Sequence, residues 1–337
     1  MSRALRFSMA LLIALSVGLT AACGDKETKV ASEEAREGRD RELLGEGIKQ
    51  LQDGRHTRSR LLFNTLVNTY PDSQFLPVCK LAVADSYYRE GTTSSMNQSE
   101  VEYRDWLQFF PKHELADDVM MKIAEVHMRQ VQAPDRDTTH AKLAERQLMR
   151  LLEQYPSTDL KPRIEQQLWE VREILGMHEL KVARFYFKQR EAYKASASRT
   201  KEIIEKYPQF SRSDEALFLL GVSLFEQEDT EEAVKYFQRL AKFYPESEFY
   251  EETVGYLKRL DAEVPEAAPA DQRPRPLGPE DGMLGKMYEA ITRPRLSFID
   301  KNGVLFKKED TPEQALEKAL QFSPAATTTG RAAGTND

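Results

Sequence analysis

From about Arg41 to Leu260 apolar residues recur three and four positions apart, the period of a helix with one buried face. Each helical run is closed by the same punctuation, an aromatic residue followed by proline. The pairs are Tyr70-Pro71, Phe110-Pro111, Tyr155-Pro156, Tyr207-Pro208 and Tyr244-Pro245, spaced 40, 45, 52 and 37 residues apart. Proline lacks the N–H that a helix needs and restricts the residue before it, so each pair predicts a helix end. Two helices and a turn fit between successive pairs. Self-similarity at this period predicts an all-α solenoid of about five helix pairs.

The last unit carries the most detail. Leu217, Leu220, Gly221 and Leu224 fall on one helix, Ala233, Phe237 and Leu240 on the next, and Pro245 closes the unit. The pattern resembles the tetratricopeptide repeat, with Leu217 and Leu224 where an aromatic is usual. Gly221 and Ala233 are small enough to let two helices approach, and Phe237 is expected to fill space against the following unit. The other units are sparser: Leu43, Gly47, Phe63 and Leu66; Ala84, Tyr87, Tyr103 and Trp106; Met120, Ile123, Ala124, Ala144, Leu148 and Leu151; Ala183, Tyr186, Ala195 and Ile203. A further helical stretch, Leu160–Leu175, precedes the fourth unit and accounts for the 52-residue spacing.

The flanks read differently. Arg3 and Arg6 precede an uncharged apolar run, then Thr20-Ala21-Ala22-Cys23, so residues 1–22 read as a secretory signal peptide. Leu19-Thr20-Ala21-Ala22-Cys23 resembles the bacterial lipobox. The resemblance implies that Cys23 becomes an acylated N-terminus, and several acyl chains are what stable anchoring requires. By the same resemblance, Gly24 rather than Asp after Cys23 implies sorting to the outer membrane. Residues 23–38 are expected to form the anchor and a polar tether, and 39–262 the repeats. Five prolines between Pro265 and Pro279 mark 263–279 as a linker. Residues 280–322 form a small C-terminal segment. It holds a short helix at 281–291, a hairpin at 296–307 around Asn302-Gly303, and a helix from Thr311 to Leu320. The tail 323–337 is low-complexity.

Charge and candidate chemistry narrow the function. The formal charge is −7, and loss of Arg3 and Arg6 takes it to −9, a balance that excludes phosphate-backbone recognition by clustered Lys and Arg. Cys79 sits in an apolar run and reads as a small buried hydrophobe. Enzyme signatures fail: His113-Glu114 and His178-Glu179 lack a second histidine one turn on, and Gly285-Lys286 lacks the upstream glycine of a phosphate loop. Asp135-Arg136-Asp137-Thr138-Thr139-His140 reads as a capping turn rather than a metal site. A non-catalytic chain follows, with neither metal nor cofactor beyond the lipid on Cys23.

A solenoid presents an extended concave face, lined by the first helix of each pair. The candidates there are Val78, Leu81, Asp85, Tyr88 and Arg89 in the second unit, and Met121, Glu125, Met128 and Arg129 in the third. Methionine and aromatic surfaces suit an extended apolar peptide of variable sequence.

Several segments, in order, resemble the BamD family of outer-membrane assembly lipoproteins. They are Tyr70-Pro71-Asp72-Ser73-Gln74-Phe75, Ala84-Asp85-Ser86-Tyr87-Tyr88, Asp135-Arg136-Asp137 with His140-Ala141, and Glu179, Val182-Ala183, Phe185-Tyr186 and Tyr193-Lys194-Ala195. The resemblance covers about Arg41 to Leu260. It implies five repeats tethered to the periplasmic face of the outer membrane, working in the β-barrel assembly machinery. By position, the groove residues would meet unfolded outer-membrane proteins. Tyr193 and Arg199 would lie near the surface that docks on a BamA-like barrel subunit with periplasmic domains. The alternative from a neighbouring class is a lipoprotein adaptor for cell-wall hydrolases or a secretin pilotin.

Overall fold

The computed structural model describes residues 25–134, 136–274, 299–300 and 303–304, with side chains described from 38 to 274 apart from Asp135. The signal peptide, Cys23, Asp135, the helices expected at 281–291 and 311–320, and the tail 323–337 lie outside the described residues.

The described helices form two compact units. The first holds α1 (Asp25–Gln52), α2 (His56–Thr69) and α3 (Leu76–Glu90). The second holds α4 (Thr93–Phe109), α5 (Ala116–Met128), α6 (Thr139–Gln154), α7 (Lys161–Arg190), α8 (Tyr193–Lys206), α9 (Ser213–Phe225), α10 (Thr230–Phe243) and α11 (Tyr250–Arg259). Within each unit every helix packs on the next in sequence. Two short strands, Ile299–Asp300 and Gly303–Val304, form a two-stranded sheet within the span expected to hold a hairpin.

All five aromatic–proline pairs are helix ends of one geometry. Tyr70, Phe110, Tyr155, Tyr207 and Tyr244 are C-caps with φ between −129° and −125° and ψ between 54° and 67°. Each cap N–H still donates to the carbonyl four residues back, at 2.8–2.9 Å. The following proline, which has no N–H, stops the ladder there.

The third residue after the aromatic lies three positions before the first residue of the next helix and prepares its start. Ser73, Thr158 and Ser247 accept the N–H two residues on, from Phe75, Leu160 and Phe249, at 3.2 Å in each case. Their hydroxyls also donate to a carboxylate on an earlier helix. Ser73 reaches Asp40, while Thr158 reaches Asp117 and Ser247 reaches Asp214, both at 2.7 Å. Each clasp satisfies a polar group that packing has taken from water.

The close approach predicted at Gly221 is present. A Cβ at that position would lie 2.5 Å from Phe237 Cε1, so only glycine fits under the ring. Gly47 and Phe63 repeat the contact between α1 and α2, where the distance would be 2.4 Å. Phe237 therefore fills space within its own pair as well as against the next element, where its ring stacks on Tyr256 of α11 at 5.0 Å. Phe218 stacks on Phe249 at 4.9 Å beside it. Helix α11 thus closes the apolar core of the second unit, with Leu257 fully buried.

The structure corrects one expectation and adds detail to two. Leu160–Leu175 is not a separate helix: it is the first half of α7, a continuous helix of 30 residues. Gly176 at its middle admits the Phe210 ring, which a Cβ would approach to 2.7 Å. Residues 25–38, expected as a tether, are helical and continuous with the first repeat helix; the stretch Ala31-Ser32-Glu33-Glu34-Ala35-Arg36-Glu37 is rich in helix formers. The described part of the proline-rich linker is tied to α10 and to the turn after it. Ala268 N–H donates to the Lys242 carbonyl at 2.8 Å, Gln238 donates to the Glu263 carbonyl at 3.0 Å, and Arg273 pairs with Glu246 at 3.1 Å.

Candidate functional site

The groove residues read from the sequence do not form an open face. Val78, Leu81, Asp85 and Tyr88 of α3 are buried, as are Met121, Glu125 and Met128 of α5; only Arg89 and Arg129 are partly exposed. All thirteen residues of α5 are buried. Met121 and Met128 belong to the second unit's apolar core, where a flexible unbranched side chain fills irregular space. Glu125 is the centre of an ion triad, 2.9 Å from Lys122 Nζ and 2.5 Å from Arg163 on α7. The triad neutralises charge that burial would otherwise penalise.

A second polar cluster ties α4 to α5. His127 Nε2 lies 3.5 Å from Glu100 Oε1, and Arg104 donates to the same oxygen at 2.8 and 2.9 Å. The His127 bond, then Arg104, hold the Glu100 carboxyl down at about 2 against the opposing effect of burial. His140, at 5.8 Å from His127 between ring centres, has its pKa lowered by burial and by the neighbouring imidazole. The Asp137 carboxylate accepts both the N–H and the hydroxyl of Thr139, at 2.9 and 2.7 Å, and so caps α6. Among the described residues no group of three His, Cys, Asp or Glu side chains is placed to hold a metal ion. Cys79 is fully buried, and burial pushes its thiol well above the usual range.

The residues expected near a partner surface already have intrachain contacts. Tyr193 opens α8 with its ring edge-on to Phe187 at 5.6 Å. Arg199 donates to Glu179 at 2.9 Å and so holds α8 against α7, while remaining partly exposed. Close by, Phe185 is 48% exposed, with Arg190 over its ring.

Sequence reasoning missed one concavity. A cavity of about 710 Å³ lies between the end of α6, the first half of α7 and the Tyr207–Phe210 turn. Trp169, Tyr207, Phe210, Leu152 and Leu168 form its apolar wall. It exists because α7 runs to twice the length of its neighbours and Phe210 is drawn onto Gly176. The signal in the sequence was the 52-residue spacing, which marked extra helix but not the hollow beside it.

Paired helices closed by a Gly–Phe contact and an aromatic–proline cap define an all-α tetratricopeptide-repeat solenoid, and the tetratricopeptide-repeat family matches residues 215–247. The family described as outer membrane lipoprotein, YfiO, matches residues 36–226, more than half of the chain, which belongs to that family. Among curated proteins the chain is similar to "outer membrane protein assembly factor BamD" of Neisseria gonorrhoeae, 23% identical over 252 residues, or 72% of this chain and 91% of the relative. It is also similar to the protein of that name from Neisseria meningitidis serogroup A, 24% identical over 226 residues, or 64% of this chain and 82% of the relative. Among the described residues no helix is long and apolar enough to cross a membrane.

Proposed function

We propose that the chain is a lipid-anchored scaffold and receptor subunit of the machinery that assembles β-barrels in the outer membrane. It is held at the periplasmic face through acylated Cys23, binds unfolded outer-membrane proteins, and docks on a BamA-like barrel subunit. The observation that carries this reading is the family match over residues 36–226, together with the name shared by the relatives, assembly factor BamD. The fold supports it physically. A series of packed helices offers long surfaces to polypeptides without needing a reactive group.

Burial shifts the receptor surface away from Leu81, Tyr88, Met121 and Met128. What stays reachable is the partly exposed Arg89 and Arg129, and the Phe185, Tyr193 and Arg199 region of α7 and α8. The work done is binding and positioning, with no covalent step.

The test is an affinity pull-down of the tagged, detergent-solubilised chain, with co-purifying proteins identified by mass spectrometry. A large outer-membrane barrel with periplasmic domains is the expected partner. A cell-wall hydrolase or a secretin in its place would overturn the reading in favour of an adaptor or pilotin. For the anchor, Cys23→Ala is expected to release the protein from membranes; retention after a high-salt wash would contradict it.

A further inference from the structure

The 710 Å³ cavity beside α7 is not used by the proposed function. Its size lies in the range that encloses a ligand of several residues rather than one side chain. Three aromatic side chains, Trp169, Tyr207 and Phe210, stand on its walls, with Leu152 and Leu168 between them. The charges around these rings are predominantly negative. Glu165 and Glu173 line the cavity, and the lining Arg172 is held by Glu145 at 2.8 Å; Glu165 is exposed, whereas Glu173 is buried, accepts from the Ser211 N–H and hydroxyl, and has its carboxyl pushed up by burial. Burial pushes the Tyr207 phenol up, and the carboxylates of Glu145, Glu202 and Glu179 push it further. Aromatic walls inside a negative field attract a cation, and a guanidinium stacks on rings while pairing with carboxylates.

The lining amides favour a polypeptide over a free amine. Gln166 and Gln209 are exposed lining residues, and an amide side chain both donates to and accepts from a main chain.

We propose that this cavity is a docking socket for an arginine carried in an extended, otherwise apolar stretch of a partner polypeptide. Glu165 pairs with the guanidinium, the three rings bury its stem and its apolar neighbours, and Gln166 and Gln209 hold the main chain. The socket does not depend on the outer-membrane reading of the chain.

The two tryptophans, Trp106 in the core and Trp169 in the cavity, make the test direct. The indole N–H signals of the full-length, detergent-solubilised chain are followed by NMR during titration with the peptide acetyl-Leu-Arg-Leu-amide. The expected result is a saturable shift of the Trp169 signal with Trp106 unmoved. Binding should weaken about tenfold when citrulline, neutral and of the same shape, replaces arginine. Glu165→Lys, an exposed substitution that leaves the core untouched, is expected to weaken binding at least as much. No saturable shift, equal binding of the citrulline peptide, or unchanged binding by the Glu165→Lys chain would overturn the proposal. An equal Trp169 shift with phosphoethanolamine alone would also overturn it, assigning the socket to a lipid headgroup.

Discussion

The first and last helix pairs contain the same contact on very unequal sequence evidence. Around Gly221 and Phe237 the repeat pattern is dense, whereas around Gly47 and Phe63 it is sparse, with Gln50 where an aromatic is usual. In both, one glycine lies under one phenylalanine ring, with room for no Cβ. They differ in what stands behind the ring. Phe237 is backed by Tyr256 of the closing helix, stacked at 5.0 Å and 10°. Repeat identity thus lives in one steric relation, and the remaining consensus positions record how each pair is sealed.

That comparison can be broken at graded cost. Phe237→Ala should cost the most, about 3–5 kcal/mol, because it empties a fully buried site on which α9 and α11 both rest. Denaturant unfolding measures it. Gly221→Leu should cost about 3 kcal/mol, near the top of the overpacking range, since Tyr256 keeps the ring from retreating. Gly47→Leu is expected to cost less, and equal losses would show that the ring behind Phe237 is irrelevant. Unchanged melting temperature for Gly221→Leu would refute the repeat register outright.

Smaller effects test the polar clasps. Ser247→Ala removes a partner from Asp214 and is expected to cost about 1 kcal/mol; Thr158→Ala should cost a similar amount through Asp117. If neither alters stability, the shared hydroxyl–carboxylate geometry is incidental. The smallest effect is a pH dependence. Glu100 titrates at about 2 in the folded chain against 4.5 as its ordinary value. A carboxyl with a depressed folded pKa contributes stability above its unfolded value, and loses it as pH falls from 4.5 toward 2. Acid unfolding of Glu100→Gln should therefore be shallower than wild type through that window; parallel curves would remove the His127–Arg104 cluster from the account.

Much of the architecture was legible because its punctuation is covalent. Proline cannot continue a helix, so five aromatic–proline pairs placed five helix ends, and Gly221 located one close approach. What escaped was tertiary. Nothing in Leu160–Leu175 says whether it breaks before Val182, since a helical period reads the same in one long helix as in two. Gly176 invites a break, and only Phe210, arriving from 34 residues further on, makes it a packing position instead. The burial of most groove candidates escaped for a related reason. Helical period identifies residues sharing a face, not whether that face meets solvent, so Met121 and Met128 could read as a peptide surface while serving as core. The proline-rich stretch looked unattached because main-chain bonds such as Ala268 to Lys242 leave no mark on composition.

The account's central claim is tested most directly by depleting the chain in its own host and measuring folded β-barrel proteins in the outer membrane. The account predicts that their abundance falls as the chain is lost, and is restored by the wild-type chain but not by Cys23→Ala. Normal barrel levels in depleted cells would contradict it.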